Sequence, residues 1–414
     1  MKFIKSLLLL ALIIAMPVHA QDGSLLHLLK LAIESHPDVL SHQGELRAAE
    51  AELDGAKWAR YPGLILQADG YANTPSSAVA PIKTLSVQQP LWAGGRITSK
   101  IDRAQASLEV AQAGVVEAQQ TVLRDTAVAF HDVLRFEDRL KEARNNEVEH
   151  VRLYGVIDRR VEAGVSPKTD LTQAASRLQQ AVADRIQVAR QLETAQAQLE
   201  QMVGRKVSVL TRSTDLVVDS SNQAATLDQA REFSPELKKL QLQIQVADAD
   251  VEFAQAQLMP QLFAGYRQNL GAISVGQDRG TSYLSLQAQT GGGLSAVSGV
   301  QAAVARKQAA IDKVATQERT LQQQVRSTIG DIEAYGLQLK PLKRLVADSD
   351  EIVASYLRQF QVGKRTWIEV LNAQREKSQA AFSLSDLDAS LNLAKVRLLL
   401  LVGQVNAESL GGKT

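Results

Sequence analysis

The sequence predicts a mainly helical protein with a small β part, in which long coiled-coil helices adjoin four strands of membrane-crossing length. Three observations support this fold class. Apolar or small residues recur at intervals of four and three along residues 97–122, which is the seam of a coiled coil. Four extended segments of about ten residues have the length that a tilted transmembrane strand needs. The same order of segments occurs twice, which indicates a tandem duplication.

The first 20 residues have the pattern of a secretory signal peptide. Lys2 and Lys5 precede an apolar run over residues 7–15, and Val18-His19-Ala20 supplies a small-residue cleavage site. The apolar run is too short for a retained membrane anchor. We therefore expect export across the inner membrane and cleavage after Ala20.

Composition argues against several function classes. The chain has 414 residues with 46 basic and 45 acidic side chains, so its charge gives no basis for nucleic-acid binding. It has no cysteine, which excludes disulfides and thiolate metal sites. Its histidines lack metal-ligand spacing, and neither a phosphate-binding loop nor a nucleophile elbow is present. We expect no enzymatic activity, no catalytic residue, no metal and no cofactor.

An internal repeat organises the chain. Five pairs of positions match at an offset of 198 or 199 residues, namely His36-Pro37 with Ser234-Pro235, Tyr61-Pro62 with Met259-Pro260, Gly164 with Gly363, Leu171 with Val370, and Val203-Gly204 with Val402-Gly403. Such self-similarity is typical of a duplicated structural unit. After the signal peptide (1–20) we expect a first repeat (21–204), an equatorial connector (205–223), a second repeat (224–403) and a C-terminal tail (404–414).

Each repeat has the same predicted elements. In the first repeat these are a helix (25–60), two strands (64–72 and 82–91), a long helix (96–161) and a returning helix (167–203); in the second they are 224–258, 261–270, 281–290, 295–361 and 366–402. The predicted seam of the first long helix is Ile97, Ile101, Ala104, Leu108, Ala111, Val115, Ala118 and Val122, and that of the second is Val300, Val304, Ile311, Val314, Leu321 and Val325. The shorter helices together match the long one in length, so we expect them to stack end to end beside it. The connector then lies beside their junction.

The four strands require an oligomer. Four strands cannot close a barrel, and open strand edges are not tolerated in lipid. Closure requires eight strands in a dimer or twelve in a trimer. Aromatic residues near the strand ends fit either a girdle at the membrane interface or ordinary strand packing; they are Tyr61, Tyr71, Trp92, Tyr266 and Tyr283.

The sequence resembles the TolC-like family of outer-membrane efflux ducts over the whole mature chain. The resemblance rests on the duplication, on an early Ala32…His36-Pro37 signature, and on the motifs at residues 89–96 (QPLWAGGR) and 360–373 (FQVGKRTWIEVLNA). It implies a homotrimer with a twelve-stranded barrel in outer-membrane lipid and a helical tunnel in the periplasm. The implied partners are a periplasmic adaptor (membrane fusion) protein and an inner-membrane ABC transporter or proton-driven pump.

The resemblance also implies the candidate site residues. Pro90, Gly94 and Gly95 form the strand–helix corner, which differs in the second repeat, where residues 290–295 read TGGGLS. Gly164 and Gly363 mark the tips of the two helical hairpins.

The gate is expected near these tips, and it consists of Asp170, Phe360 and Arg365, with Glu369 as a pore selectivity ring. The family often has tyrosine where this chain has Phe360. The alternatives are that Asp170 only favours a helix dipole and that Arg365 and Glu369 are ordinary solvated residues.

The predicted function is that of a passive exit duct for an exported protein such as a large adhesin, driven by an ABC transporter in type I secretion. The segment 362–376 resembles the tip of ducts that serve adhesin exporters, and Gln21 stands where drug-efflux ducts frequently have a lipidated cysteine. Small-molecule efflux is the alternative. A periplasmic coiled-coil scaffold is a further alternative, but it leaves the four strands unexplained.

Overall fold

The computed structural model describes residues 23–69, 82–207, 209–212, 222–270, 278–288, 292 and 295–411. The predicted signal peptide therefore lies outside the described residues. The first repeat contains α1 (Leu25–Ser35), α2 (Pro37–Trp58), β1 (Gly63–Asp69), β2 (Ile82–Trp92), α3 (Arg96–Glu162) and α4 (Lys168–Val203). The second contains α5 (Gln223–Phe233), α6 (Pro235–Ala256), β3 (Gln261–Asn269), β4 (Gly280–Gln287), α7 (Ser295–Gln361) and α8 (Trp367–Leu401). This confirms the predicted fold class, mainly helical with a small sheet.

The prediction of a single first helix in each repeat was wrong. Each is split in two, at His36 between α1 and α2 and at Ser234 between α5 and α6. Pro37 and Pro235 are the first residues of α2 and α6, and proline disfavours a helical conformation in the residue before it. The side chains of His36 and Ser234 then cap the new helices by accepting hydrogen bonds from the backbone N–H groups of Asp38 (3.2 Å) and Leu237 (3.3 Å).

The helices form a long rod around α3, which is 67 residues long and therefore spans about 100 Å. It packs against α1, α2 and α4 of its own repeat and against α6 and α8 of the other. The largest apolar core lies halfway along α3, where Leu28 and Leu29 of α1 meet Leu123 and Phe130 of α3. The described part of the connector lies there too, because Arg212 donates to both carboxylate oxygens of Asp138 on α3 at 2.7 and 2.8 Å.

The predicted seam of α3 is correct only at the last three of its eight positions. Val115, Ala118 and Val122 are buried, but the five predicted positions nearer the strands are only half-buried. Ser99, Ala106 and Ala113 are buried there instead. The reason is that α3 has neighbours on two sides, α2 and α6, so a single apolar stripe does not identify its buried face. In α7, Leu321 and Val325 are buried as predicted, whereas Val304 and Ile311 are exposed in the protomer.

The strands form one antiparallel sheet in the order β1-β2-β3-β4. The two repeats therefore meet at the central β2–β3 pair, and β1 and β4 form the edges. At their described ends the strands agree with the predicted ones to within one residue, and the predicted ends at 70–72 and 289–290 lie outside the described residues. Among the helices that the structure describes, none is both long and apolar enough to span a bilayer.

Candidate functional site

The sheet has one apolar face and one polar face. Residues paired directly across strands point to the same side of a sheet, and the register places Leu64 and Leu66 of β1 on the same face as Leu284 and Leu286 of β4. Each of these four leucines is at least 70% exposed. The opposite face consists largely of polar side chains, including Gln67, Ser86, Gln88, Arg267, Asn269, Thr281, Ser285 and Gln287. A contiguous exposed apolar face indicates a surface that contacts lipid or another protein.

The strand–helix corner contains the three residues predicted for it. The β2–β3 register pairs Pro90 with Phe263 and Trp92 with Leu262, which leaves Leu91 as a bulge. Proline cannot donate a ladder hydrogen bond, and Pro90 is tolerated in this central strand because it lies at the bulge, where the ladder is interrupted. Gly94 and Gly95 have φ of +56° and +91°, so the chain turns through left-handed conformations before α3.

Gly94 also allows close packing between the two repeats. A Cβ atom at this position would lie 2.4 Å from Cβ of Met259, whereas one at Gly164, which also has a positive φ, would meet nothing within 4 Å. We expect the left-handed conformation to cost about 1–2 kcal/mol in Gly94→Ala and in Gly164→Ala alike. Because Gly94→Ala adds a clash, its melting temperature falls further. Equal melting temperatures for the two purified variants would contradict this reading of the corner.

Arg96 joins the corner to the second repeat, a contact that the sequence reasoning missed. Its guanidinium donates to the backbone oxygens of Gln257 at 2.7 Å and Ala256 at 3.2 Å. These carbonyls lie at the C-terminus of α6, where helix geometry leaves acceptors without partners. The position of Arg96 directly after Gly94-Gly95 indicated that it belongs to the corner. The sequence did not indicate its acceptors, because they lie about 160 residues away along the chain.

The hairpin tips end in the same backbone motif. In the first, Gly164 N–H donates to Val161 O (3.0 Å) and Val165 N–H to Arg160 O (2.8 Å). In the second, Gly363 and Lys364 make the equivalent bonds to the backbone oxygens of Phe360 and Gln359, at 3.0 and 2.9 Å. This is the Schellman motif, which favours glycine because the first residue after the helix cap is left-handed. Both glycines have φ above +70°.

Phe360 is buried in a small core between the two hairpins. Its ring packs against Trp367, with the ring centroids 5.1 Å apart, and against Leu153 and Ile157 of α3. Phenylalanine suits this position because the other buried side chains of this core are hydrophobic. The structure therefore assigns Phe360 a packing role, and its participation in a gate stays a prediction.

Arg160 also connects the two tips, and the sequence reasoning did not identify it. Its guanidinium carbon lies 4.8 Å from the centre of the Phe360 ring. Its nitrogens donate to the side-chain oxygen of Ser166 at 3.2 Å and to the backbone oxygen of Gln361 at 3.4 Å. The first hairpin thereby holds the second through a cation–π contact and a hydrogen bond.

Arg365 and Glu369 form an ion pair within the second hairpin. Arg365 also lies over the ring of Tyr356, with its guanidinium carbon 4.2 Å from the ring centre. Asp170 lies in the first turn of α4, as predicted. Among the described residues of the protomer, Arg365 pairs with Glu369 rather than with Asp170, so the predicted Asp170–Arg365 gate stays a prediction.

Glu369 caps the start of α8. Its Oε2 atom accepts hydrogen bonds from the backbone N–H and the hydroxyl of Thr366, both at 2.8 Å. These two bonds, followed by that of Arg365, lower the pKa of Glu369 from 4.5 to about 2. Thr366 and Glu369 match the sequence signature of a capping box, which was therefore readable in advance. The predicted selectivity ring stays a prediction.

The lowered pKa gives a pH-dependent effect on stability. Because the carboxylate of Glu369 is favoured in the folded state, its stabilisation is complete above about pH 4.5 and is lost as the pH falls towards 2. We expect Glu369→Gln to lower the melting temperature at pH 7 and to have a smaller effect at pH 3. A difference from wild type that is equal at both pH values would show that the carboxylate charge is irrelevant at the tip.

A small sheet with one exposed apolar face, joined to long paired helices that end in packed tips, indicates a protein that inserts its sheet in a membrane or against another protein and has a long helical extension. The chain belongs to the outer membrane efflux protein family, whose model matches residues 28–205 and 226–404, once in each repeat. It is therefore an outer-membrane efflux channel of the TolC family and a non-enzymatic transporter, as the sequence predicted.

The chain is similar to known proteins in sequence and in fold. The outer membrane protein TolC of Vibrio cholerae serotype O1 is 23% identical over 403 residues, which cover 91% of this chain and 90% of that protein. A membrane protein from Pseudomonas aeruginosa superposes with a TM-score of 0.79 at 18% identity and 92% coverage of both chains. VceC of Vibrio cholerae superposes with a TM-score of 0.76 at 17% identity, covering 91% of this chain and 95% of that one.

Proposed function

We propose that three copies of the chain form a twelve-stranded barrel in the outer membrane, as the exit duct of a tripartite export system. The observation that carries the proposal is the sheet, which combines an apolar face with two edges, β1 and β4, that pair with no further strand among the described residues. A strand edge in lipid must be paired, and pairing β4 of one copy with β1 of the next closes the wall. A periplasmic scaffold would leave the four exposed leucines of that face in water.

The unequal burial of the two long helices supports an assembly. Both α3 and α7 have 67 residues, yet 20 residues of α3 are buried in the protomer and only nine of α7. The difference arises because α3 packs against α2 and α4 of its own repeat and also against α6 and α8 of the other, whereas α7 packs mainly against α5, α6 and α8 of its own repeat. By the symmetry of the repeats, α2 of a neighbouring copy would cover the exposed stripe of α7 formed by Val297, Val304 and Ile311.

The assembly is tested by the mass and membrane behaviour of the full-length protein. We expect detergent-extracted material to have three times the protomer mass by light scattering. We expect it to stay in the outer-membrane fraction after a carbonate wash. A monomer, or a protein that the wash removes, would refute the duct.

For the cargo, we propose type I secretion of a large protein, with the ABC transporter and the adaptor as partners. The support is the sequence of the tip over residues 362–376. Deletion of the gene tests this: we expect a large exported protein to disappear from the cell surface and drug susceptibility to change less than about twofold. Retained surface display with a marked gain in drug susceptibility would favour small-molecule efflux instead.

A further inference from the structure

Arg267 lies on the polar face of the sheet, opposite the leucines. Residues paired across strands point to the same side, and the register aligns Arg267 of β3 with Ser86 of β2 and Thr281 of β4. Both Arg267 and Thr281 are exposed in the protomer. Among the strand side chains that the structure describes on this face, Arg267 is the one that carries a charge. The polar face is therefore basic at this height.

Tyr283 holds the side chain of Arg267. The guanidinium carbon lies 5.5 Å from the centre of the tyrosine ring, which is a cation–π contact. Tyr283 is paired directly with Gly265, and a Cβ atom at Gly265 would lie 2.3 Å from Cζ of the tyrosine. Glycine at position 265 thus leaves room for the ring to lie across β3, where it supports the guanidinium.

Neighbouring charges do not cancel that of Arg267. The next row of the polar face, further from the helices, contains Asn269, whose N–H donates to the backbone oxygen of Arg279 at 2.8 Å. The acidic residue Asp69 occupies a register position four residues beyond Ile65, which is the β1 residue in the row of Arg267. Four residues correspond to roughly 13 Å along a strand, which exceeds the Debye length of about 10 Å at 0.1 M ionic strength.

Three copies of this face would surround the lumen of the proposed barrel. If the leucine face contacts lipid, the polar face points inward, because the two faces alternate along each strand. Threefold symmetry then places three guanidinium groups of Arg267 at the same height. Rings of arginine or lysine side chains are a known means by which pores favour anions.

We propose that Arg267, positioned by Tyr283, forms an anion-selecting ring in the half of the barrel that lies away from the helices. Small dissolved anions are concentrated at this height, and cations are depleted. The proposal rests on the proposed twelve-stranded duct. It gives the barrel end a charge opposite to that of the carboxylate ring predicted at Glu369, at the other end of the molecule.

Reversal potentials of the full-length protein in a planar bilayer test the ring. With a KCl gradient near 0.01 M ionic strength, where the Debye length is about 30 Å, we expect Arg267→Gln to lower the ratio of chloride to potassium permeability at least about twofold. At 1 M, where the Debye length is about 3 Å, we expect the variant and the wild type to differ much less. An unchanged permeability ratio at low salt would overturn the ring.

Two further variants separate the charge from its surroundings. Arg267→Lys keeps a positive charge at the same position and should retain most of the wild-type preference for chloride. Lys83→Gln removes a positive charge from the opposite face, because Lys83 is exposed and is paired with Ala68 in the row next to Gln67. We expect this control to leave the permeability ratio unchanged. A shift in the control equal to that in Arg267→Gln would overturn the assignment to the lumen.

A thiol beside Arg267 measures the local charge without ion conduction. The chain has no cysteine, so Thr281→Cys introduces a single thiol directly across from Arg267. In isolated outer membranes, its reaction rate is measured with a negatively charged and with a positively charged methanethiosulfonate. We expect the ratio of the two rates, negative over positive, to fall at least about threefold when Arg267→Gln is added. Adding Lys83→Gln instead should leave the ratio unchanged.

The two experiments distinguish failure of the ring from failure of the duct. If the wild type does not conduct, the duct function fails, while the thiol rates still decide whether Arg267 attracts anions on this face. If the protein conducts but the thiol reacts with neither reagent, the polar face does not line a water-filled lumen and the ring is overturned. A ratio of rates that Arg267→Gln leaves unchanged would overturn it as well.

Discussion

Leu284→Arg is expected to remove the protein from the outer membrane. Leu284 is 70% exposed in the protomer and lies on the apolar face of edge strand β4, which would face lipid. An arginine on the lipid face of such a barrel costs about 2–4 kcal/mol near the midplane. Three symmetry-related copies would then cost roughly 6–12 kcal/mol, which is comparable to the stability of a typical domain. The measurement is the amount of trimer in the outer-membrane fraction.

The neighbouring residue provides the matched control. Ser285 precedes the next leucine on β4 and points to the opposite face, where Arg267 already lies in β3. Ser285→Arg adds the same charge to the same strand, and we expect near wild-type amounts of trimer. Equal assembly of both variants would mean that the leucine face does not contact lipid. A scaffold in the periplasm would even gain solubility from Leu284→Arg.

Two sequence features predicted most of the fold: the alternation of apolar and polar residues along the strands, and the internal repeat. A strand with one apolar face is visible in Leu284 and Leu286 alternating with serine and glutamine, because that pattern depends on adjacent residues only. The break at His36-Pro37 was missed because the apolar pattern of the helix continues past it. The seam of α3 was wrong at five of its eight positions because periodicity identifies an apolar stripe but not which neighbouring helices cover it.

The site was only partly predictable for a related reason. The turn glycines at 164 and 363 were found, since a left-handed helix end is a local property that glycine favours. The contacts of Arg96 and Arg160 with the other repeat were missed because the residues adjacent to each arginine in the sequence do not identify partners that lie about 160 to 200 residues away. Glu369 is the opposite case, because its partner Thr366 is three residues away.

Arg160→Ala, at the hairpin tip, is expected to make the channel open more often. Arg160 contributes the cation–π contact with Phe360 and the bond to Gln361 that link the hairpins. A contact of this type is worth about 1 kcal/mol, so in the proposed trimer three copies contribute roughly 3 kcal/mol to holding the two hairpins of each protomer together. Removing them shifts the opening equilibrium by roughly a hundredfold. Single-channel recording in a planar bilayer measures this shift as an increased open probability.

Arg159→Ala is the control for Arg160→Ala, because Arg159 is exposed on the same turn and carries the same charge. Both variants lose one positive charge at the hairpin tip, so any effect of that charge on ion conduction is the same in both. They differ only in the contact between the hairpins. We expect Arg159→Ala to open as rarely as the wild type. If both variants conduct alike, Arg160 does not hold the tip closed. Arg365→Ala examines the predicted gate separately: wild-type conductance in that variant would place the latch at other residues, with Arg160 and the core around Phe360 as the next to test.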